Sequence, residues 1–307
     1  MRIVIALGGN ALLRRGDRPD TAVQQVNSDR VATAVAALAL EHEVVITHGN
    51  ERQIGLLAME SAADPVLTAP RPLDLLGAQT EGLIGSLLAR TLHDAIPGRK
   101  IVALVTHTLV RPDDPAFARP TKRVGPVYPG DVARSLARRR GWHIAEDATG
   151  WRQVVASPSP EAVVETEAIH DLLTCGVLVI CAGGGGVPVT ADDDTGALHG
   201  VDAVIDKDLT AALLAEDLKA DFLLILTDVP YVYAGYGTRH QRPILDATPA
   251  DLRRCGFPDD SMGPKAEAAA RFVERTGGLA AIGALDAAYE IVHGRSGTLV
   301  RPELSIG

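Results

Sequence analysis

Residues 43–60 read EVVITHGNERQIGLLAME, and this stretch sets the pattern that the rest of the chain repeats. The β-branched run at 44–46 predicts a buried strand, and the residues after position 50 have helical spacing. Between them lies the corner HGN at 48–50, where a glycine and an asparagine allow a sharp turn. Ligands of open parallel sheets bind beyond the carboxyl ends of the strands, so this corner is a candidate binding site.

Short β-branched runs alternate with helical patterns along almost the whole chain. This order indicates an α/β fold with a mostly parallel sheet and helices on both faces. The predicted strands are RIVIAL at 2–7, EVVIT at 43–47, KIVALVT at 100–106, a strand pair at 142–156, VLVICA at 177–182, VDAVID at 201–206, DFLLILT at 221–227, LAAIG at 279–283 and GTLVR at 297–301. The predicted helices span 21–41, 52–63, 73–96, 129–140, 160–174, 208–219, 264–276 and 285–293.

The alternation breaks at 111–130, RPDDPAFARPTKRVGPVYPG, which holds five prolines and two glycines. The prolines exclude a regular helix and a central strand. We expect an excursion from the main body, such as a hairpin or a small lid; an irregular surface loop is the alternative. We place a lobe boundary between 141 and 160, which gives an N-terminal lobe of about 1–155 and a C-terminal lobe of about 156–307.

Composition excludes several classes of function. The 307 residues carry a formal net charge of −9, whereas non-specific nucleic-acid binding needs a basic face. No apolar run reaches the roughly 18 residues of a membrane span, and the N-terminal apolar stretch is too short for a signal peptide. Three cysteines without a CxxC pair indicate buried thiols in a reducing cytosol. We therefore expect a cytoplasmic protein that binds neither nucleic acid nor membranes.

Three predicted strands end in glycine-rich loops whose backbone N–H groups could bind an anion. GGN at 8–10 follows the first strand, and HGN at 48–50 follows the second. If these strands are neighbours, the two corners could hold a small planar oxyanion between them; plain tight turns are the alternative. Four glycines at 183–186 let the backbone approach a ligand closely, but no Walker A or GxGxxG pattern identifies that ligand.

Three lysines lie where they could neutralise a phosphate. Lys265 would lie in the first turn of a helix, where its charge opposes the helix dipole unless an anion binds there; a solvated side chain is the alternative. Lys207 stands between Asp206 and Asp208, a pattern suited to a phosphate–Mg²⁺ site, although Asp208 is also a reasonable N-cap. Lys122 falls inside the proline-rich segment.

The stretch LTDVPYVY at 226–233 ends another predicted strand, and an adenine could stack on Tyr231 or Tyr233. Phosphoryl transfer needs positioning and charge neutralisation more than covalent groups, and no nucleophile triad is evident. These features together predict an ATP-using kinase that acts on a small acid. A non-catalytic nucleotide or metabolite sensor is the alternative.

Seven motifs in sequence order resemble the carbamate kinases of the amino acid kinase superfamily: ALGGNAL, HGN, PTKRVGPVY, CAGGGGVPV, VDAVIDKD, LTDVPYVY and SMGPKAEAA. The resemblance covers nearly the whole chain. It implies a three-layer αβα sandwich around a large, mainly parallel sheet, with a small protruding lid subdomain that carries Lys122. It also implies interconversion of carbamate plus ATP with carbamoyl phosphate plus ADP, with Mg²⁺ carried by the nucleotide, and a homodimer.

The resemblance further implies which residues form the site. An acid-binding N-terminal lobe would hold the acid and the transferring phosphoryl group through Gly8, Gly9, Asn10, Gly49 and Asn50. The charge would be neutralised by Lys122, Lys207 and Lys265, with Asp208 organising the lysines. A nucleotide-binding C-terminal lobe would contact ATP through Gly183, Gly184, Gly185, Gly186, Asp228, Tyr233, Met262 and Lys265.

The chain departs from the family pattern in its second corner. That corner usually reads HGNGPQVG in the family, whereas residues 48–55 read HGNERQIG. Arg52 brings a planar five-donor group suited to a carboxylate or phosphate. In one interpretation it reaches into the acid pocket and selects an acceptor larger than carbamate. In the other, Glu51 and Arg52 point to water and pair with each other at the start of the helix.

Overall fold

The computed structural model describes residues 1–13, 17–18, 20–147, 149–258 and 261–303. The strands are β1 Arg2–Leu7, β2 Glu43–His48, β3 Ile101–Ala103, β4 His107–Leu109, β5 Lys122–Tyr128, β6 His143–Asp147, β7 Gly150–Val155, β8 Ala162–Val163, β9 Leu178–Ile180, β10 Val187–Ala191, β11 Leu198–Gly200, β12 Phe222–Thr227, β13 Val232–Ala234, β14 Arg242–Ile244, β15 Asp246–Ala247, β16 Leu279–Ala284 and β17 Thr298–Val300. The helices are α1 Gly9–Leu12, α2 Thr21–Glu41, α3 Glu51–Ala63, α4 Leu73–Ala95, α5 Gly130–Arg140, α6 Thr166–Thr174, α7 Lys207–Asp217, α8 Pro249–Arg254, α9 Met262–Thr276 and α10 Ala288–Val292, with 3-10 turns at Pro115–Phe117, Gly183–Gly185 and Leu285–Ala287.

A mainly parallel sheet of eight strands forms the middle layer, in the order β15-β17-β16-β12-β1-β2-β9-β3. β1 pairs in parallel with β2 on one side and with β12 on the other, whereas the β16–β17 pair is antiparallel. The central strands are continuous apolar runs because both faces of the sheet are covered.

The first strand shows how the sheet serves two cores. Val4 and Ala6 pack into the core that includes residues of α6, α7 and α9. Ile3 and Ile5 point the other way, into the core that includes residues of α2, α4 and α10. Successive strand residues face opposite sides of a sheet, so a run without polar residues needs helices on both sides. The predicted three-layer αβα sandwich is confirmed.

The register of the sheet places the loops after β1, β2 and β12 next to one another, beyond the carboxyl ends of these strands. Leu7, the last residue of β1, lies opposite His48 of β2 and Leu226 of β12. The chain therefore leaves all three strands side by side. The expectation that the first two predicted strands are neighbours is confirmed, and their two corners lie next to each other.

A smaller antiparallel sheet, in the order β5-β7-β6, contacts helix α5. β5 carries Pro126 and lies at the edge of this sheet, where a missing N–H costs least. Its pairing with β7 is irregular between Val124 and Tyr128. The small sheet rests on α3, where the backbones of Gly55 and Gly125 are in contact.

One element prediction and one capping prediction are wrong, and one predicted helix starts later than expected. The helix predicted at 160–174 begins only at Thr166, because residues 162–163 form β8 and pair with β4. VDAVID is not a strand, since the N–H of Val204 donates to the carbonyl of Ala156 outside any ladder. The N-cap of α7 is Asp206, whose carboxylate accepts from the first backbone N–H groups of the helix; Asp208 lies inside the first turn.

Two other elements are shorter than predicted. The strand expected at 100–106 covers only 101–103, and the helix expected at 285–293 starts as a 3-10 turn before α10. Across the described residues, we find no helix with both the length and the apolar character that crossing a bilayer requires.

The contact between α3 and the small sheet makes a stability prediction. A methyl group on Gly55 would collide with the Gly125 backbone, so we expect Gly55→Ala to lower the free energy of unfolding by about 1–3 kcal/mol. Gly82→Ala is the matched control, because Gly82 lies on exposed helix surface with open space around it; it should stabilise by up to about 1 kcal/mol. Urea denaturation measures both. Equal effects of the two substitutions would contradict the close contact.

Candidate active site

The corners after β1 and β2 are in direct contact. The N–H of Gly8 donates to the carbonyl of Leu226 at 2.9 Å, and the N–H of Gly49 donates to the carbonyl of Leu7 at 3.0 Å. A methyl group built on Gly49 would lie 2.9 Å from the backbone N and Cα of Gly9. The two loops therefore meet where a side chain on Gly49 would push them apart.

The asparagines of the two corners have different surroundings. Asn50 is 2% exposed, its Nδ2 donates to Oγ1 of Thr80 at 2.8 Å, and its Oδ1 has no hydrogen-bond partner among the described residues. Asn10 is half-buried, and its Nδ2 donates to Oδ2 of Asp228 at 3.0 Å. Asn10 thus links the first corner to the loop after β12.

The four glycines at 183–186 form a tight, buried turn. Three of their N–H groups donate within the fold, that of Gly183 to Glu81 at 2.6 Å and the last two within the turn itself. Gly184 packs directly against the Asn50 side chain. The turn therefore lies against the second corner, and contact of these glycines with a nucleotide stays a prediction.

Glu81 of α4 connects this turn to the link between β3 and β4. Its Oε1 accepts from the Gly183 N–H and from the Thr106 hydroxyl, and its Oε2 accepts from the Thr106 N–H at 3.0 Å. Burial raises the pKa of Glu81 to about 8, although the donors on Thr106 and Gly183 act in the opposite direction. Through these bonds Glu81 positions the glycine turn.

Three lysines from three elements meet at the N-terminus of α7. Lys122 of β5 donates to Oδ2 of Asp206 at 2.8 Å. Lys207 donates to both carboxylate oxygens of Asp208, and Lys265 of α9 donates to Oδ2 of the same carboxylate at 3.0 Å. The three predicted lysines are thus brought together, and Asp208 joins two of them.

The charges of this cluster stabilise one another. Burial disfavours a charged Lys207, yet Asp208 and the neighbouring carboxylates hold its pKa above the usual value. Burial likewise disfavours a charged Asp206, yet Lys122 and Lys207 hold its pKa well below the usual value. The pKa of Asp208 is lowered by Lys207 and Lys265, again against burial. The cluster is therefore a fixed array of ions at neutral pH.

Glu51 turns into the site instead of out to solvent. Its Oε2 lies against Gly9 and Gly49, over the point where the two corners meet. The interpretation in which both charged residues of this corner point to water is therefore wrong for Glu51. Arg52 is half-buried in the same first turn of α3, and its proposed contact with the acceptor stays a prediction.

Of the other side chains predicted to contact the nucleotide, one is hydrogen-bonded to a glycine corner, and the other two are described by their packing. Asp228 is hydrogen-bonded to Asn10. Tyr233 packs edge-on against Tyr231, with ring centroids 6.4 Å apart, and Met262 begins α9 and packs against the core below that helix. The assignment of these side chains to a nucleotide site stays a prediction.

Sequence reasoning missed Glu51 as an occupant of the site and Glu81 as a support. The signal for Glu81 was present, because it lies beside Thr80 and Ile84 on the stripe of α4 that is buried. A carboxylate at a core position of an amphipathic helix needs buried partners. Glu51 gave no such signal, since an acidic residue at a helix start is favoured by the dipole wherever its side chain points.

The buried position of Glu81 predicts a pH dependence of stability. The folded protein retains the Glu81 proton up to about pH 8, whereas the unfolded chain loses it near 4.5. The folded state therefore binds more protons between these values, and this contribution to the free energy of unfolding falls as the pH rises. Between about pH 5 and pH 8, the wild type should lose stability relative to Glu81→Gln.

Chemical denaturation of both proteins across this pH range measures the effect. Glu167→Gln serves as the control, because Glu167 is an exposed acid on α6 and should leave the pH profile of the wild type unchanged. If the free energies of unfolding of the wild type and Glu81→Gln change in parallel with pH, Glu81 is ionised in the folded protein across this pH range, and the prediction is wrong.

Comparison with known proteins assigns the family. The model of the amino acid kinase family matches residues 1–282. A carbamate kinase of Rhizobium meliloti is 46% identical over 307 residues, covering 99% of this chain and 94% of the relative. One from Haemophilus influenzae is 45% identical over 302 residues, covering 98% of this chain and 96% of the relative.

Solved structures agree with the sequence relatives. Carbamate kinase from Giardia lamblia bound to AMP-PNP superposes with a TM-score of 0.89 at 36% identity, covering 98% of each chain. The same enzyme bound to citric acid gives a TM-score of 0.91 at 35% identity, again with 98% of each chain covered. From its sequence and its fold alike, the chain belongs to the amino acid kinase family, and within it to the carbamate kinase group.

Proposed function

We propose that the protein transfers a phosphoryl group between ATP and carbamate, giving carbamoyl phosphate and ADP. The observation that carries this proposal is the convergence of Lys122, Lys207 and Lys265 on two aspartates, Asp206 and Asp208, beside the paired glycine corners. The relatives named carbamate kinase, and the AMP-PNP-bound structure of one of them, support the choice of both substrates.

The reaction needs charge neutralisation more than a covalent catalyst. A carbamate oxygen forms a bond to the γ-phosphorus, the bond from that phosphorus to the bridging oxygen breaks, and the electron pair leaves with ADP. Carbamate is already an anion, so its attacking oxygen has no proton to lose. The transferring group carries several negative charges, and fixed ammonium groups stabilise it without reorganising. Lys122, Lys207 and Lys265 supply such groups.

The remaining residues are assigned to two groups, one that binds the acid and the transferring phosphoryl group and one that binds the nucleotide. We assign the acid and the transferring phosphoryl group to Gly8, Gly9, Asn10, Gly49 and Asn50, with Arg52 as a further contact. We assign the nucleotide to Gly183, Gly184, Gly185, Asp228, Tyr233, Met262 and Lys265. The hydrogen bond between Asn10 and Asp228 supports this arrangement, because it joins the two groups of residues at one edge of the sheet.

Mg²⁺ would reach the site with the nucleotide phosphates, whose negative charge it would help to neutralise. The carboxylates best placed to bind a metal, Asp206 and Asp208, are already paired with lysines. The ammonium groups of the same lysines suit phosphate oxygens. Protein side chains would therefore bind the phosphates, and the phosphates would bind the metal.

We further propose an acid-binding lobe of about 1–155, a nucleotide-binding lobe of about 156–307 and a protruding subdomain at about 111–130 that acts as a lid. Support for the lid comes from Lys122, which lies on the small sheet but reaches Asp206 at the start of α7. A cytoplasmic homodimer is the proposed working form. The three cysteines are free thiols, which suits a reducing compartment. Only Cys181 is buried, so the expectation of buried thiols is wrong for Cys175 and Cys255, which are exposed.

The activity is tested in the direction of ATP formation. Purified protein supplied with carbamoyl phosphate, ADP and Mg²⁺ should produce ATP, detected by luciferase light emission. Lys265→Ala purified in the same way should form ATP roughly 10²-fold more slowly, whereas a contaminating kinase would give the same rate in both preparations. If no ATP forms at any enzyme concentration, carbamate kinase is not the activity of this protein.

The lysine cluster predicts a set of kinetic effects. We expect Lys207→Ala and Lys265→Ala each to lower kcat by roughly 10²-fold or more, because each removes a charge directed at the transferring group. Lys122→Ala should also lower kcat, with a smaller effect on nucleotide affinity if β5 belongs to a closing lid. Lys100→Ala, an exposed lysine before β3, is the control. Near-wild-type rates in any cluster variant would remove that lysine from the site.

A further inference from the structure

Glu51 lies over the contact between the two glycine corners. A methyl group built on Gly9 would lie 2.6 Å from Oε2 of Glu51, and one built on Gly49 would lie 2.8 Å from the same oxygen. The carboxylate therefore fills the space above both glycines. That space is where the paired corners are expected to hold the acid group of a substrate.

The charges around this carboxylate are those of an anion site. Burial opposes the ionisation of Glu51, but Lys207, Lys122 and Lys265 outweigh it and hold its pKa below the usual value. Glu51 is therefore an anion at neutral pH. Among the described residues of the cluster, three lysines are balanced by Asp206, Asp208 and Glu51.

We propose that the carboxylate of Glu51 occupies the acid subsite, so that an incoming acceptor anion must displace it. The inference rests on the proposed function, because it concerns the acceptor side of the same site. It concerns the same corner as the proposed contact of Arg52, but the charge of Glu51 has the opposite sign. Instead of attracting a larger acid, the corner weakens the capture of a small one.

The position of Glu51 in the fold allows this displacement. Glu51 is the first residue of α3, and the residue keeps partial exposure to solvent. A glutamate side chain has three rotatable bonds, so it can turn away while the helix and the glycine corners stay in place. Two anions cannot share the space above Gly9 and Gly49, because like charges that close repel strongly.

Steady-state kinetics of ATP formation test the proposal. Glu51→Gln keeps the shape of the side chain and removes its charge, and it should lower KM for carbamoyl phosphate by about tenfold, the order expected when one like charge is removed from a partly buried site. KM for ADP should change by less than about twofold. Glu51→Asp, which keeps the charge and withdraws it by one methylene, should give an intermediate KM for carbamoyl phosphate.

The control is Glu60→Gln, which makes the same change of net charge at an exposed position of the same helix. It should leave both KM values unchanged. An unchanged or increased KM for carbamoyl phosphate in Glu51→Gln would overturn the proposal, because it would show that the acceptor binds without competing with this carboxylate.

A second measurement does not depend on catalysis. An anion that binds only the folded protein raises its Tm. Inorganic phosphate should therefore raise the Tm of Glu51→Gln more than that of the wild type or Glu60→Gln. Equal shifts in all three proteins would overturn the proposal. If the wild type makes no ATP from carbamoyl phosphate, the proposed function fails, and the phosphate shifts still decide whether Glu51 fills an anion site.

Discussion

The carboxylate of Asp208 lies between the ammonium groups of Lys207 and Lys265, and the arrangement of the site depends on this interaction. Each lysine alone is in an unfavourable place. Lys207 is almost fully buried, and Lys265 lies in the first turn of α9, where the helix dipole repels a cation. A buried charge is tolerated when it is paired and hydrogen-bonded. Asp208 provides that pairing for both lysines and so fixes the N-termini of α7 and α9 relative to each other.

Much of the fold could be predicted from hydrophobic pattern alone. The run Ile3 to Leu7 contains no polar residue, and a strand buried on both faces requires a helix layer on each side. The helix α2 has the bounds that were predicted, and its buried residues, among them Val31, Val35 and Leu38, recur at helical spacing. The segment 201–206 was misjudged for the same reason, since Ala203, Val204 and Ile205 are buried but belong to an irregular link instead of a ladder. Periodicity reports burial and cannot report backbone pairing.

The site was predictable where the chemistry of single residues was unusual. Lys265 at a helix start and Lys207 between two aspartates each conflict with local preference, and the structure brings the two together. The direction in which a side chain points could not be predicted from the sequence. The charge of Glu51 in the corner is stabilised by three lysines that are distant in sequence, and no local pattern contains that information. The partners of the buried Glu81 were equally hidden, because Thr106 and Gly183 come from loops far along the chain.

The N-terminal part of α3 contacts both the glycine corners and the small sheet. Glu51 and Gly55 are four residues apart, so they lie on the same face of the helix. One contacts the glycine corners, and the other supports the small sheet that carries Lys122. A tilt of α3 would move its contact with the glycine corners and its contact with the small sheet together. The glycine corners and the small sheet therefore share one support, and α3 cannot shift at one contact without shifting at the other.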